Sequence, residues 1–149
     1  MEPAVFRPYR ETDLDVVSRL WHIEYEETSP QFAGRHSPDD FRGRMLDYVL
    51  PTAEVTVAVR NGAVVGFMAL KPGYTDQLYI RADSQSRGIG SAFVRAAKGK
   101  WPEGLELHTL ASNARAIAFY EGHGFEVVER GIAPDEGAPD VMMRWSGGE

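Results

Sequence analysis

Leu78-Tyr79-Ile80-Arg81-Ala82-Asp83-Ser84-Gln85-Ser86-Arg87-Gly88-Ile89-Gly90-Ser91-Ala92-Phe93 reads as a strand, a turn, a glycine-bearing loop and the start of a helix. Such a junction suits a phosphate. Its glycines let the backbone approach an anion closely, and the amides around Gly88 to Ser91 are the unpaired donors at the positive end of a helix dipole. Spacing separates the known phosphate loops. A Walker-type loop ends in Gly-Lys-Ser/Thr, a tripeptide the chain lacks, and a dinucleotide fingerprint needs a third glycine where Phe93 stands. What remains is Gln85-x-x-Gly88-x-Gly90, a spacing that also serves plain strand-to-helix turns.

Working outward from the loop, strands Glu54 to Arg60 and Ala63 to Leu70 flank Asn61-Gly62, a dipeptide that favours the tight hairpin turn with both residues at positive φ. A second turn at Pro72-Gly73 returns the chain into Thr75 to Ile80. Three antiparallel strands result. Downstream, Gly90 to Lys100 is helical and stops at Trp101-Pro102-Glu103-Gly104. Leu105 to Leu110 follows as a strand, Ala114 to His123 as a helix, and Phe125 to Gly131 and Val141 to Trp145 as strands around an acidic loop, residues 133–140.

At the N-terminus, Val5 to Arg10 is a strand that Pro8 confines to an edge or a bulge. Thr12 with Asp15 resembles a cap for a helix whose stripe is Val16, Val17, Leu20, Trp21 and Glu24, ending before Pro30. Ser37, Pro38 and Asp40 start another helix with Phe41, Met45 and Tyr48 as its apolar face. Antiparallel strands followed by strand-helix-strand-helix-strand predict an α+β fold, a mixed and mostly antiparallel central sheet flanked by helices. With 149 residues, 43% hydrophobic and 26% charged, residues 1–149 form a single domain with room for a core.

A second motif lies about thirty residues past the loop: Asn113-Ala114-Arg115-Ala116-Ile117-Ala118-Phe119-Tyr120-Glu121-Gly122-His123-Gly124-Phe125. Asn113 can cap a helix, Ala116, Phe119 and Tyr120 share one face, and Gly124 can end it in the left-handed conformation. Together, Gln-x-x-Gly-x-Gly and Asn-x-x-Ala-x-x-Phe-Tyr-x-x-x-Gly-Phe resemble the two signatures of the Gcn5-related N-acetyltransferase (GNAT) family. The resemblance runs from the first strand to Trp145 and is specific in roughly residues 74 to 125.

This resemblance implies the GNAT acyl-CoA N-acyltransferase fold and an acetyl-CoA-dependent N-acetyltransferase in which an amine attacks directly within a ternary complex. In that fold two parallel strands, here Thr75 to Ile80 and Leu105 to Leu110, splay apart and the pantetheine arm pairs with backbone groups of Leu78, Tyr79 and Ile80. Gln85, Ser86, Arg87, Gly88, Ile89, Gly90 and Ser91 would hold the pyrophosphate, although Ser86 stands where relatives often have glycine or a basic residue. Arg81 likewise stands where histidine or valine is frequent.

The chemistry needs a neutral amine, a polarised carbonyl and a proton for the leaving thiolate. An ammonium of pKa ~10.4 is neutral only about once in 2,500 molecules at pH 7, a penalty of roughly 4.6 kcal/mol. Asp76, at the start of the strand leading to the loop, is the candidate base by analogy with relatives, though an aspartate after a Pro-Gly turn is often a turn residue. Tyr120, a phenol of pKa ~10, is the candidate proton donor. Asn113 can donate to the pantetheine or carbonyl region, and the Ile80 amide can polarise the thioester oxygen. Glu24, Glu26 and Glu27 end the first helix on the acceptor side, and at least two of them read as a solvated helix end. His22 reads as partly packed, while His108 and Asp140 are further acceptor-pocket candidates.

Composition narrows the alternatives. A net charge of −6 argues against general nucleic-acid binding, yet residues 81–100 carry five basic side chains against Asp83 alone, which suits a polyphosphate. The absence of cysteine excludes a covalent thioester on the enzyme, and His22, His36, His108 and His123 show no paired spacing, so no metal is expected. No apolar run approaches the ~20 residues that span a bilayer, and the start lacks the features of a signal peptide, so the expected location is cytoplasmic, with no membrane partner. The acceptor is a small-molecule amine or a peptide amine. Trp145, read as lying near the end of an edge strand, is compatible with a homodimer. Two other classes remain: a catalytically inactive acyl-CoA-binding regulatory module, against which Asn113 and Tyr120 argue, and a nucleotide-binding domain, disfavoured by the missing lysine and third glycine.

Overall fold

The computed structural model describes residues 3–134 and 136–148, so Met1, Glu2, Glu149 and the Asp135 of the acidic loop lie outside the described residues. Seven strands form one mixed sheet: β1 (Val5–Pro8), β2 (Glu54–Arg60), β3 (Ala63–Lys71), β4 (Tyr74–Ile80), β5 (Leu105–Leu110), β6 (Glu126–Ile132) and β7 (Pro139–Trp145). Their order is β1-β2-β3-β4-β5-β7-β6, and every neighbouring pair is antiparallel except β4 and β5. This is the expected α+β architecture. The hairpin turn has Asn61 at φ +53° and Gly62 at +76°, and Gly73 at +65° completes the Pro72-Gly73 turn.

Helix α1 (Leu14–Thr28) and the pair α2 (Pro38–Arg44) and α3 (Leu50–Thr52) cover one face of the sheet, around Trp21, Phe41 and Phe67. Helices α4 (Ile89–Lys100) and α5 (Ala114–Glu121) cover the other, around Phe93, Met68 and Trp145. Strand β3 serves both cores because its alternate residues point to opposite faces: Phe67 and Ala69 join the first, Met68 and Leu70 the second.

Three sequence expectations are displaced. Met45–Val49 forms a widened turn in which the Leu50 N–H bonds to the Met45 carbonyl five residues back. The extra residue rotates the helix, so Phe41, Met45 and Val49 make the buried stripe and Tyr48 is left 71% exposed. The entry to α1 is organised by Asp13, not by Thr12 and Asp15. The residue is buried, and its carboxylate accepts the Arg10 N–H at 2.8 Å and N–H groups of both Arg7 guanidinium nitrogens at 2.8 and 2.9 Å. Trp145 is not on an edge strand, because β7 lies between β5 and β6, and the indole is 3% exposed. The edges are β1, as Pro8 predicts, and β6.

Hydrogen bonding to Arg7, with the Arg10 amide adding to it, holds the Asp13 carboxyl below its ordinary value against the opposing effect of burial. A depressed carboxyl pKa contributes stability that is complete above the unfolded-state value and lost as pH falls through the folded one. Asp13→Asn is therefore expected to cost about 2 kcal/mol at neutral pH, the range for hydrogen bonds to a charged group. Its deficit relative to the parent should shrink as the pH drops below about 4. Denaturant melts of both proteins from pH 7 to pH 3 check both expectations.

Candidate active site

Strands β4 and β5 are joined by a single bridge, Tyr74 with Glu106, supported by a 2.9 Å bond from the Glu106 N–H to the Gly73 carbonyl. Beyond it they diverge. The Arg81 N–H bonds to Val65 of β3 at 2.7 Å, so the Ile80 carbonyl, on the other side of that planar peptide, faces the gap. Strand alternation turns the N–H groups of Ile80 and Leu78 the same way. The Ile80 carbonyl is taken by the Gln85 side-chain amide at 2.8 Å. Glu24 of α1, 2% exposed, in turn accepts from Gln85 Nε2 at 3.2 Å and from the Ala82 N–H at 3.1 Å. Burial raises the Glu24 carboxyl above its ordinary value, with the Ala82 amide opposing.

The loop after β4 has Ser86 at φ +62° and Gly88 at +83°, and Gly88 caps α4. The Ala92 N–H bonds to the Gly88 carbonyl at 2.9 Å, so the amides of Ile89, Gly90 and Ser91 precede the first helical bond. A serine at positive φ explains why glycine suits position 86. The two glycines do different things. A side chain at Gly88 would meet no protein atom within 4 Å, so its backbone angle is what requires glycine, whereas a Cβ at Gly90 would lie 3.2 Å from the Phe119 ring. Gly90 thus lets α4 and α5 approach. The Ser91 hydroxyl lies 3.0 Å from His123 Nε2, whose ring burial pushes below the usual histidine value.

Helix α5 begins at Asn113, whose Oδ1 accepts the Ala116 N–H at 3.1 Å, leaving its amide NH2 as a donor. It ends with the Phe125 N–H on the Tyr120 carbonyl and the Gly124 N–H on Glu121, each 3.0 Å, around Gly124 at φ +87°. The Tyr120 ring packs 5.5 Å from that of Phe125. Burial, then the neighbouring Tyr79, raises the Tyr120 phenol pKa, keeping it protonated through the neutral range.

Two cavities meet here. The larger, 790 Å³, runs along the gap from the loop, and the smaller, 200 Å³, opens on the α1 side of the sheet. Thr28, Tyr79 and Asn113 line both. Of the expected residues, Leu78, Tyr79, Ile80, Gln85, Ser86, Gly88, Gly90, Ser91, Asn113 and Tyr120 line the larger cavity. Ile89 is buried beneath the loop, and the exposed Arg87 donates to the Asp83 carbonyl at 3.4 Å.

Asp76 is not brought to this junction. It lines neither cavity: it is the unpaired residue between Thr75 and Gln77 where the β3–β4 register shifts, and its carboxylate lies 3.7 Å from Lys71 Nζ and, after burial, adds to the upward shift of the nearby Tyr74 phenol. His108 and Asp140 do line the smaller cavity, and Tyr74 hydrogen-bonds His108 Nδ1 at 2.7 Å. Tyr25, Arg44 and Glu136 join them there, residues that no motif marks. Glu26 bonds the Gly34 N–H and pairs with His22, while Glu27 is exposed at the rim of the larger cavity. Glu24 is the exception to a solvated helix end. Its place in the stripe after Val17, Leu20 and Trp21 was the signal for burial.

A family model for the acetyltransferase (GNAT) domain matches residues 51–127, which contain the divergent strands, the loop and Asn113 to Phe125. The chain belongs to the GNAT acetyltransferase family. It is 31% identical over 141 residues to the peptidyl-lysine N-acetyltransferase YjaB of Salmonella typhimurium, covering 94% of this chain and 85% of that one. The solution structure of apo YjaB from Escherichia coli superposes with a TM-score of 0.78 at 26% identity, over 98% of this chain and 99% of that one. A PaiA N-acetyltransferase from Thermoplasma acidophilum in complex with coenzyme A shares the fold at a TM-score of 0.76 and 16% identity, covering 97% and 99%. As a GNAT enzyme, this chain is an N-acetyltransferase that delivers an acetyl group to an amine.

Gly88→Val forces a β-branched residue into the left-handed region, a strain of about 1–3 kcal/mol that the loop relieves by changing shape. At least a tenfold loss of CoA affinity is expected in a folded protein, measured by calorimetric titration. Unchanged affinity would show that the loop does not bind the cofactor.

Proposed function

We propose that this enzyme uses acetyl-CoA as co-substrate and acetylates the side-chain amine of a peptide lysine by direct attack in a ternary complex. The observation that carries this reading is the meeting of the two cavities at Thr28, Tyr79 and Asn113, which would bring a thioester in one within reach of an amine in the other. Pyrophosphate would sit on the amides of Gly88 to Ser91, with Gln85, Ser86 and Arg87 beside it, and pantetheine would pair with the open backbone groups of Leu78 and Ile80. The larger cavity, 790 Å³, is lined by residues of that loop, of β4 and of the start of α5.

In the smaller cavity Trp21, Tyr25 and Tyr79 give an aromatic wall for the aliphatic stem of lysine, and Glu136 and Asp140 give carboxylates for its ammonium. The names carried by the YjaB relatives favour the same acceptor. The amine loses its proton toward these carboxylates, and its lone pair then attacks the thioester carbon. The Ile80 N–H, open to the gap, stabilises charge developing on the carbonyl oxygen. As the carbon–sulfur bond breaks, the Tyr120 hydroxyl protonates the departing thiolate and Asn113 donates to the carbonyl region. Burial raises the phenol pKa, so the hydroxyl carries its proton at neutral pH. A cytoplasmic location fits a chain without cysteine, in which no helix among the described residues is long and apolar enough to cross a membrane.

Two measurements test this. Acetyl-CoA or CoA at a hundred times its Kd should raise stability by about 2.7 kcal/mol in a thermal-shift assay, with no response to ATP or NAD. A response to ATP or NAD and none to CoA would overturn the cofactor. Tyr120→Phe should lower kcat for lysine-peptide acetylation about a hundredfold, the lower end of what positioned proton transfer contributes, with acetyl-CoA affinity changed less than about threefold. Undiminished kcat would remove Tyr120 from the chemistry.

A further inference from the structure

Arg44 is the feature of the acceptor cavity that a lysine side chain alone does not explain. It follows Phe41 by three residues on α2, and its guanidinium carbon lies 4.9 Å from the centre of the Phe41 ring. Its Nη2 donates to His36 Nε2 at 3.3 Å. The Nδ1 side of that imidazole lies 3.7 Å from Asp40, and the His22 ring meets the His36 carbonyl at 3.1 Å. A cation is thus built into the wall, clamped between a ring and a histidine, when a free arginine on α2 could extend into water.

No ion pair within 4 Å neutralises Arg44 among the described residues. The cavity holds two carboxylates, yet Glu136 takes its hydrogen bond from the Tyr25 hydroxyl at 3.2 Å, and Asp140 starts from β7 on the other side. Opposite charges therefore face the same 200 Å³ without closing on each other. Guanidinium presents several N–H donors in a planar fork whose natural partner is a carboxylate. An amine alone would be repelled by it.

We propose that Arg44 makes the acceptor cavity select amines that carry a nearby carboxylate: in a peptide, a lysine beside an aspartate or glutamate. The ammonium goes to the Glu136 and Asp140 side and the carboxylate to the Arg44 fork. This rests on the lysine-acetyltransferase reading above and narrows its substrate class. A free amino acid offers the same two charges, and the test separates the two sources.

Wild type, Arg44→Gln and Arg44→Lys are assayed with acetyl-CoA on lysine peptides identical except for Asp, Asn or Arg beside the lysine, and on free lysine against cadaverine, its decarboxylated analogue. Wild type should prefer the Asp peptide over the Asn peptide by about tenfold or more in kcat/KM, and Arg the least. Arg44→Gln should bring the Asp/Asn ratio to within about twofold, and Arg44→Lys, which keeps the charge without the fork, should fall between. Circular dichroism checks folding, and if Arg44→Gln is unfolded, the wild-type ranking and Arg44→Lys decide. Equal rates on all three peptides, or a preference that Arg44→Gln retains, would overturn the proposal and leave lysine acetylation standing. Acetylation of free lysine over cadaverine with no peptide turned over would overturn the peptide acceptor and uphold the carboxylate requirement.

Discussion

One departure from regular pairing governs this molecule: β4 and β5 run parallel yet touch at a single bridge, Tyr74 with Glu106, before separating. Breaking a ladder in the middle of a sheet leaves buried backbone donors and acceptors without strand partners, which is costly. The fold offsets part of that cost. The Gln85 amide occupies the Ile80 carbonyl, and the Glu24 carboxylate holds both Gln85 and the Ala82 N–H. The remaining open groups are those an extended amide-bearing substrate can use. In this chain the site is an unfinished piece of secondary structure.

The layers around the gap follow from that constraint. Helix α1 reaches over the sheet so that Glu24 braces the loop while Trp21 and Tyr25 wall the smaller cavity, joining the two cavities through one helix. Helix α5 closes the other side. Its capping Asn113 keeps an amide for the cleft, and the left-handed Gly124 turns Phe125 back beneath Tyr120. Gly90 allows α4 within contact of Phe119, so the helix that the glycine loop opens packs on the helix that carries Tyr120.

How much of this was legible in the sequence depended on whether the information was local. Turns set by φ, at Asn61-Gly62, Pro72-Gly73 and Gly124, were readable because few residues tolerate those angles. The Gln85-x-x-Gly88-x-Gly90 loop and Asn113 to Phe125 were readable as spaced motifs, and most of the motif positions line one cavity. What escaped depended on neighbours distant in the chain. The widened turn at Met45–Val49 broke the helical period that placed Tyr48 inside. Trp145 looked like an edge residue because the order β5-β7-β6 puts the last strand between its predecessors. Asp76 sits where the β3–β4 register shifts, an irregularity that its local sequence does not announce, and Arg44 and Glu136 came from segments whose sequence carries no motif.

The most direct test is amide hydrogen exchange at β4, resolved to single residues, with and without saturating acetyl-CoA. If the open edge of β4 binds the pantetheine arm, the Ile80 amide, together with those of Gly90 and Ser91, gains protection on addition of ligand. The Arg81 amide, already bonded to Val65 of β3, should change little by comparison. Binding without added protection at Ile80 would contradict the account, because the divergence of β4 and β5 would then not be the substrate's seat.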